Sequence, residues 1–473
     1  MDSKPISVKT SAKPKSKKVI LSKNIRWFLL ILVSFINGVL AISGGVFSAA
    51  ATKIKTDLSI NDEKFGFLGT MCGCGNLLGS LLFTLLINCL NNKLLVILNL
   101  LIICLGHFMV FLSQNYFILL SGRFIAGLQT ICLFLYFPVW VNRFGVQKYK
   151  TAFLTIYELS GTLGMVWGYI VNIIVGSDKW RYGFLIEIVI ELISVVILII
   201  IPGKYFDKNL FFFEHNKENA KGQKDTGRLE SFFSPEKANE KDESDNSDPN
   251  EEVTLFSSVI CNIELILLTS FRSVQNFICF GMSYWFSDYI DSNLHINNEA
   301  HIFYSYVISS VIACVIGLAL GGCVGSSVGG YSTKNTIPII TFVHFISTIF
   351  SLFIPYMKSL ELFTILVFIF NVVEFITAPF VIAATFAAVP KKYTGVANGI
   401  IGFFLNITAF LPAPIAYGFL KTKFGSKMAM ETLCQYNIAG VVFMVLALCV
   451  QRKKNKKIKK KEESGIFLQD IKE

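Results

Sequence analysis

A chain of 473 residues that is 53% hydrophobic and only 16% charged, with a mean hydropathy of +0.58, is not an ordinary soluble protein, because soluble domains run near a quarter charged. Its net charge of +11 does not indicate a nucleic-acid partner, since Lys and Arg crowd into the termini and short loops without a basic, aromatic-interleaved face. Eleven Cys, most of them within apolar runs (Cys72, Cys74, Cys104, Cys132, Cys261, Cys279, Cys314, Cys449), have neither disulfide nor zinc-ligand spacing, so no metal and no cofactor are expected.

The chain opens with a basic tail, residues 1–25 (Lys4, Lys9, Lys13, Lys15, Lys17, Lys18, Lys23), that leads into an apolar run from Trp27 to Ala51. The run is too long for a signal-peptide core and reads as a retained first span. Runs long enough to cross about 30 Å of hydrocarbon as helix are predicted at 26–52, 65–88, 94–113, 117–140, 152–175 and 182–202. The polar segment 203–254, with Glu240-Lys241-Asp242-Glu243-Ser244-Asp245, cannot bury a core and is predicted to be a disordered linker. Six further runs follow at 255–287, 302–323, 334–355, 360–388, 394–419 and 429–450, before a basic tail, 451–473, that carries Arg452-Lys453-Lys454 and Lys459-Lys460-Lys461. The expected layout is therefore a bundle over 26–202, a linker and a second bundle over 255–450.

An even number of spans puts both termini on one side, and their basic residues assign that side to the cytosol. Arg143, Lys148, Lys150, Lys391 and Lys392 agree, and the stretch from Asp288 to Ala300 carries acids without Lys or Arg. Lys421, Lys423 and Lys427 disagree, because they fall in the last external loop.

Span four contains Gly122-Arg123-Phe124-Ile125-Ala126-Gly127 followed by Pro138; span five contains Gly161-Thr162-Leu163-Gly164-Met165-Val166-Trp167-Gly168; span six opens with Trp180-Arg181-Tyr182-Gly183-Phe184. In order and spacing these resemble the G-R-F-x-x-G, glycine-rich and W-R-x-x-F stretches of the major facilitator superfamily, and the six-linker-six layout is similar over nearly the whole chain. The resemblance implies an all-α membrane fold of twelve transmembrane helices in two six-helix bundles, with spans one, four, seven and ten lining a central cavity. The family's charged loop between spans two and three is degenerate here, reading Thr84, Asn88, Cys89, Asn91, Asn92 and Lys93. Its repeat after span eight keeps the glycines in Gly322, Ser326, Ser327, Gly329 and Gly330, which points to a duplication with the substrate site between the halves. Gly69 and Gly73, Gly75 and Gly79, and Gly317 and Gly321 have the small-x-x-x-small spacing of close helix contacts.

Charged groups in lipid cost a few kcal/mol and therefore face cavities and partners. Candidate substrate-binding or coupling residues are Asn37 in span one, Arg123 in span four, Glu158 in span five, Glu264, Arg272 and Asn276 in span seven, and Asn371 and Glu374 in span ten. Glu374 is the expected partner of Arg272, either as a working pair or as a static fastener of the second bundle. Glu158 is either a proton-coupling acid or a salt-bridge partner of Arg123 or Arg143. Glu187 and Glu191, one turn apart in span six, are expected to meet a neighbouring helix without a transport role, and His107 and His344 to be satisfied interior histidines. Tyr284 and Trp285 resemble the aromatic outer gate of sugar carriers, with interfacial anchoring as the alternative.

No catalytic nucleophile with a base and no phosphate loop is present, so the chain is not expected to be an enzyme. The expected function is secondary transport of a small polar or anionic solute by alternating access, as symporter or uniporter, with protons as the alternative coupling partner. The rivals are a spinster-type carrier of lysolipids, suggested by Gly281-Met282-Ser283-Tyr284-Trp285 and by Leu411-Pro412-Ala413-Pro414 with Gly418, and a sensor that binds solute without moving it. The expected partners are the lipid bilayer and a small-molecule substrate, with a monomer as the working unit.

Overall fold

The computed structural model describes residues 23–89, 91–128, 150–206, 261–328, 335–389 and 394–463. Among them no strand occurs, and ten helices are long and apolar enough to cross a membrane. Two shorter apolar helices, Tyr116–Gly127 and Leu159–Val175, occupy the positions of spans four and five. Span one is Lys23–Ala49, two is Asp62–Cys89, three is Asn92–Phe111, four begins as Tyr116–Gly127, five is Lys150–Val175 and six is Arg181–Ile200. In the second half, span seven is Ile263–Leu294 and span eight runs from Glu299–Tyr306 through a π-helical turn to Ala313–Ser327. Span nine is Thr336–Phe353 and ten is Leu360–Ala387; eleven joins Thr394–Leu405 to Pro412–Phe424 through a second π turn, and twelve is Asn437–Glu463.

The two halves repeat one packing scheme. Span one lies along five, two along four, and three against four and six; correspondingly seven lies along eleven, eight along ten, and nine against ten and twelve. Between the halves, span two meets eleven, five meets eight and one meets seven. The crossing of spans one and five is close because it lacks side chains where it is tightest: a Cβ on Gly164 would fall 2.0 Å from the Gly38 carbonyl oxygen. The glycine-rich stretch of span five is thus a packing device.

The W-R-x-x-F segment fixes the end of the first half away from the linker. Trp180 Nε1 donates to Asp57 Oδ2 at 3.0 Å, and Arg181 donates to the Ser113 carbonyl at 2.9 Å while pairing with Asp57 at 3.3 Å. Asp57 belongs to the short helix Ala51–Asp57 that follows span one, so this end is called the Lys55 end below.

Two expected boundaries shift. Order continues past Pro202 as the turn Gly203–Tyr205 and the buried Phe206, whose carbonyl accepts from Asn92 at 2.8 Å. The basic run after span twelve continues its helix to Glu463. Residues 207–260, which hold the expected linker, and most of the loop after span four lie outside the described residues.

Candidate functional site

Span one, the short helix and span two deliver Lys55 and Asp62 to the Lys55 end of the first half; spans seven and eleven deliver Asp288 and Lys421 to the same end of the second. The four alternate in charge. Lys55 pairs with Asp62 at 2.6 Å and with Asp288, and Lys421 pairs with Asp62 at 3.3 Å and with Asp288. The Asp288 side chain is only 1% exposed, so both its oxygens depend on lysines. Burial alone lowers the Lys55 ammonium pKa, but the carboxylates of Asp288 and Asp62 outweigh it and hold it above the ordinary lysine value. Lys421 is therefore a buried ion-pair residue.

Beneath the charges lies an aromatic floor. The Trp285 ring has the Lys55 and Lys421 ammonium groups 6.0 and 5.6 Å from its centroid; its Nε1 donates to the Pro414 carbonyl at 3.1 Å, and it stacks on Tyr417 at 5.0 Å. Tyr284 donates from its hydroxyl to the Phe65 carbonyl at 2.7 Å across the two halves. Gly69 makes room for that ring, since a Cβ there would come within 2.8 Å of it. Both aromatics are buried between the halves, so interfacial anchoring in lipid is not their role.

Further contacts lie at the same level. Ser48 donates to the Ser283 carbonyl at 2.8 Å, Ser287 to the Tyr169 hydroxyl at 3.1 Å and Thr70 to the Leu411 carbonyl at 2.8 Å, while Tyr169 stacks on Tyr306 at 4.4 Å. At the rim the Glu63 N–H donates to Thr422 Oγ1 at 3.1 Å. Nine such hydrogen bonds and ion pairs between described residues of opposite halves lie toward the Lys55 end.

Arg123 sits directly under this floor. Its guanidinium lies 4.3 Å from the centroid of Phe47, which in turn stacks on Phe65 at 5.0 Å. The residue is buried, and its Nε has no hydrogen-bond partner among the described residues.

Asn37 donates to the Tyr157 carbonyl at 2.8 Å and to Ser160 Oγ at 3.0 Å, which ties span one to five. Asn371 donates to the Ser309 carbonyl at 2.7 Å, in the π turn of span eight. Asn276 donates to the Arg272 carbonyl at 2.8 Å within its own helix. Glu264 is not deep in the membrane: span seven begins at Ile263, so Glu264 stands in the first turn and reaches Lys454 at 3.2 Å. The Glu158 side chain and Arg143 lie outside the described residues.

Glu374 does not take Arg272 as its partner. One carboxylate oxygen faces His344 Nδ1 at 3.0 Å and accepts from Ser347 Oγ at 2.5 Å, and the other accepts from Gln275. His344 Nε2 lies 3.3 Å from the Asn437 carbonyl, and its ring meets Phe271 edge-on at 4.6 Å. Spans seven, nine, ten and twelve thus converge on one filled polar network. Arg272 is half-buried one turn nearer the linker end. The available signal for this site was the coincidence of a mid-span acid and a mid-span histidine in one bundle. Glu187 and Glu191 do meet a neighbouring helix, at His107 of span three, 3.0 Å from Glu191.

Curated relatives match over limited segments. Polyol transporter 5 of Arabidopsis thaliana is 27% identical over 177 residues, 37% of this chain and 33% of the relative. The glucose transporter GlcP of Staphylococcus epidermidis is 24% identical over 200 residues, 41% of this chain and 44% of the relative. The chain thus spans a third to under a half of the length of these relatives.

Solved structures match over nearly the whole fold. A bacterial homologue of the human lysosomal transporter spinster, inward-facing and occupied, superposes with a TM-score of 0.65 at 14% identity, covering 92% of this chain and 98% of that one. The nucleoside transporter NupG gives 0.61 at 14% identity, covering 90% and 98%. These identities speak to the fold alone. The sequence model of the Major Facilitator Superfamily matches residues 27–413, and the chain belongs to that superfamily of membrane transporters.

Proposed function

We propose that the protein moves a small polar solute across its membrane by alternating access, with the Lys55 end facing away from the cytosol and both termini cytosolic. The observation that carries this reading is the one-sided closure: among the described residues, the polar bonds between the halves are concentrated at the Lys55 end. A carrier that exposes its site to one side at a time needs such a seal to be made and broken in each cycle. Buried charge pairs suit that task, because they are strong in register and costly when one partner is lost. Tyr284 and Trp285 form the floor of this gate.

Arg123, under the floor with an unused guanidinium N–H, is the group best placed to hold a hydroxyl-rich or anionic solute as the gate closes. Arg272 and Asn276 are its counterparts toward the linker end. The local similarity to polyol and glucose carriers supports a hydroxylated solute. Glu374, committed to His344, Ser347 and Gln275, serves as a fastener of the second bundle; proton coupling falls to Glu158.

Uptake by proteoliposomes tests the reading, with hexitols, hexoses, nucleosides, small organic anions and a lysolipid offered separately, each with and without a proton gradient. Saturable uptake of a polar solute, lost in Arg123→Ala and retained in Glu374→Gln, is expected. Movement of the lysolipid alone assigns the spinster-type activity, and saturable binding without uptake assigns a sensor.

A further inference from the structure

His107 of span three and Glu187 and Glu191 of span six bring an imidazole nitrogen and two carboxylate oxygens within 4.8 Å of one another. Each of the three residues is 0% exposed. Two carboxylates without water need donors, and the protein supplies one: the Ser43 N–H, 3.1 Å from Glu187 Oε1. Glu187 Oε2, both oxygens of Glu191 and both nitrogens of His107 have no hydrogen-bond partner. His107 Nδ1 stands 3.0 Å from Glu191 Oε1 and 3.9 Å from Glu187 Oε2, close to both yet out of line for an N–H···O bond.

Buried polar atoms are paired almost without exception, and an orphaned group calls for an explanation such as an ion. Here three residues, two carboxylates and an imidazole, bring one unpaired atom each to the same place. The two separations from His107 Nδ1, 3.0 and 3.9 Å, bracket the about 3.4 Å that separates donors bound to a tetrahedral ion at about 2.0–2.2 Å. The charge also balances, since a divalent ion with two carboxylates and a neutral imidazole leaves no net charge in a dry site. Arg123 is a cation whose charge reaches His107, but it is seated over Phe47.

We propose that His107, Glu187 and Glu191 form a binding site for a divalent first-row cation of the zinc or manganese type, which fastens span six to span three. One imidazole and two carboxylates suit these ions. The i, i+4 placement of the acids puts both on one face of span six, and the Ser43 contact extends the tie to span one. The site is remote in role from the gate and does not rest on the transport reading. Full burial makes exchange slow, so the ion survives purification.

The test uses the full-length protein purified in detergent. Elemental analysis of the protein as isolated is expected to find close to one zinc or manganese per chain. After removal by a strong chelator, Co2+ is expected to produce a visible absorption band that saturates at one ion per chain and is abolished in Glu187→Gln/Glu191→Gln. His107→Gln is expected to weaken Co2+ binding at least tenfold. No retained metal together with no Co2+ band in the wild type overturns the proposal and leaves a cluster held by carboxylic acid protons; so does an undiminished band in a double variant that elutes as folded protein. If the double variant does not fold, the wild-type measurements alone decide.

Discussion

Each half of the molecule buries a histidine of its third helix against glutamate, and the two sites are finished in different ways. In the second half every oxygen of Glu374 has a donor, from His344, Ser347 and Gln275, and Gln275 is itself braced by Thr377 at 2.9 Å. In the first half a second carboxylate takes the place of the hydroxyl and amide donors, and only Ser43 donates. The second site is a closed network whose worth lies in its completeness. The first has an excess of acceptors and is complete only with a cation. The four-charge gate belongs with the second site, because each of its carboxylates meets two lysines.

The contrast is broken most severely by emptying the complete site. Glu374→Ala strands His344, Ser347 and Gln275 without their acceptor, and a loss of about 3–5 kcal/mol is expected; thermal unfolding in detergent reads it, and Glu374→Gln keeps most of the stability. Next in size is Asp288→Asn, which leaves Lys55 and Lys421 facing one carboxylate. It is expected to weaken the closed gate by roughly 2–4 kcal/mol and to make a cysteine placed at Ser48 reactive to a polar thiol reagent. Protein whose metal has been stripped sharpens the comparison at the first site: there Glu191→Gln removes acceptors that have no donor and is expected to leave stability unchanged or raise it by up to about 1 kcal/mol, while in metal-loaded protein it lowers the melting temperature.

The smallest effects concern pH and the surface. Because the Lys55 pKa is raised, its contribution is complete below the ordinary lysine value of 10.5 and is lost only as pH rises through the higher folded value. The gate is therefore expected to stay closed to the thiol reagent from neutral pH to 10. Asp178→Ala removes the exposed partner of Lys53, 2.8 Å away. No measurable change in melting temperature is expected, because exposed pairs contribute little.

The architecture was legible because lipid imposes it: apolar length, charge placement and the order of the three stretches each point to two bundles of six. The glycine spacing of spans two and eight announces close helix crossings, and a Cβ on Gly75 would fall 2.1 Å from the Phe124 carbonyl oxygen; the crossing of spans one and five is seen only in the structure. The sites were less legible, because partners in a helical bundle come from helices distant in sequence. Glu374 looked like the partner of Arg272 when spans seven and ten were considered alone; span nine supplies His344, and the pairing falls there instead. Glu187 and Glu191 could be assigned a shared face from their spacing, but not the identity of what they face. Lys421 and Asp288 each read as a loop charge in isolation, and only the structure brings them together.

The gate offers the most direct test of alternating access. Glu63 and Thr422 meet at its exposed rim, backbone N–H to Oγ1 at 3.1 Å, on spans of opposite halves. With the exposed cysteines Cys261, Cys323 and Cys449 replaced by Ser, Glu63→Cys/Thr422→Cys can be oxidised to lock that end shut. Uptake of the transported solute into proteoliposomes, measured before oxidation, after oxidation and after reduction, decides the matter. Loss of at least nine-tenths of uptake on oxidation with full recovery on reduction is the expected result. Undiminished uptake with the disulfide verified by mass spectrometry would contradict the assignment of the Lys55 end as a gate that must open.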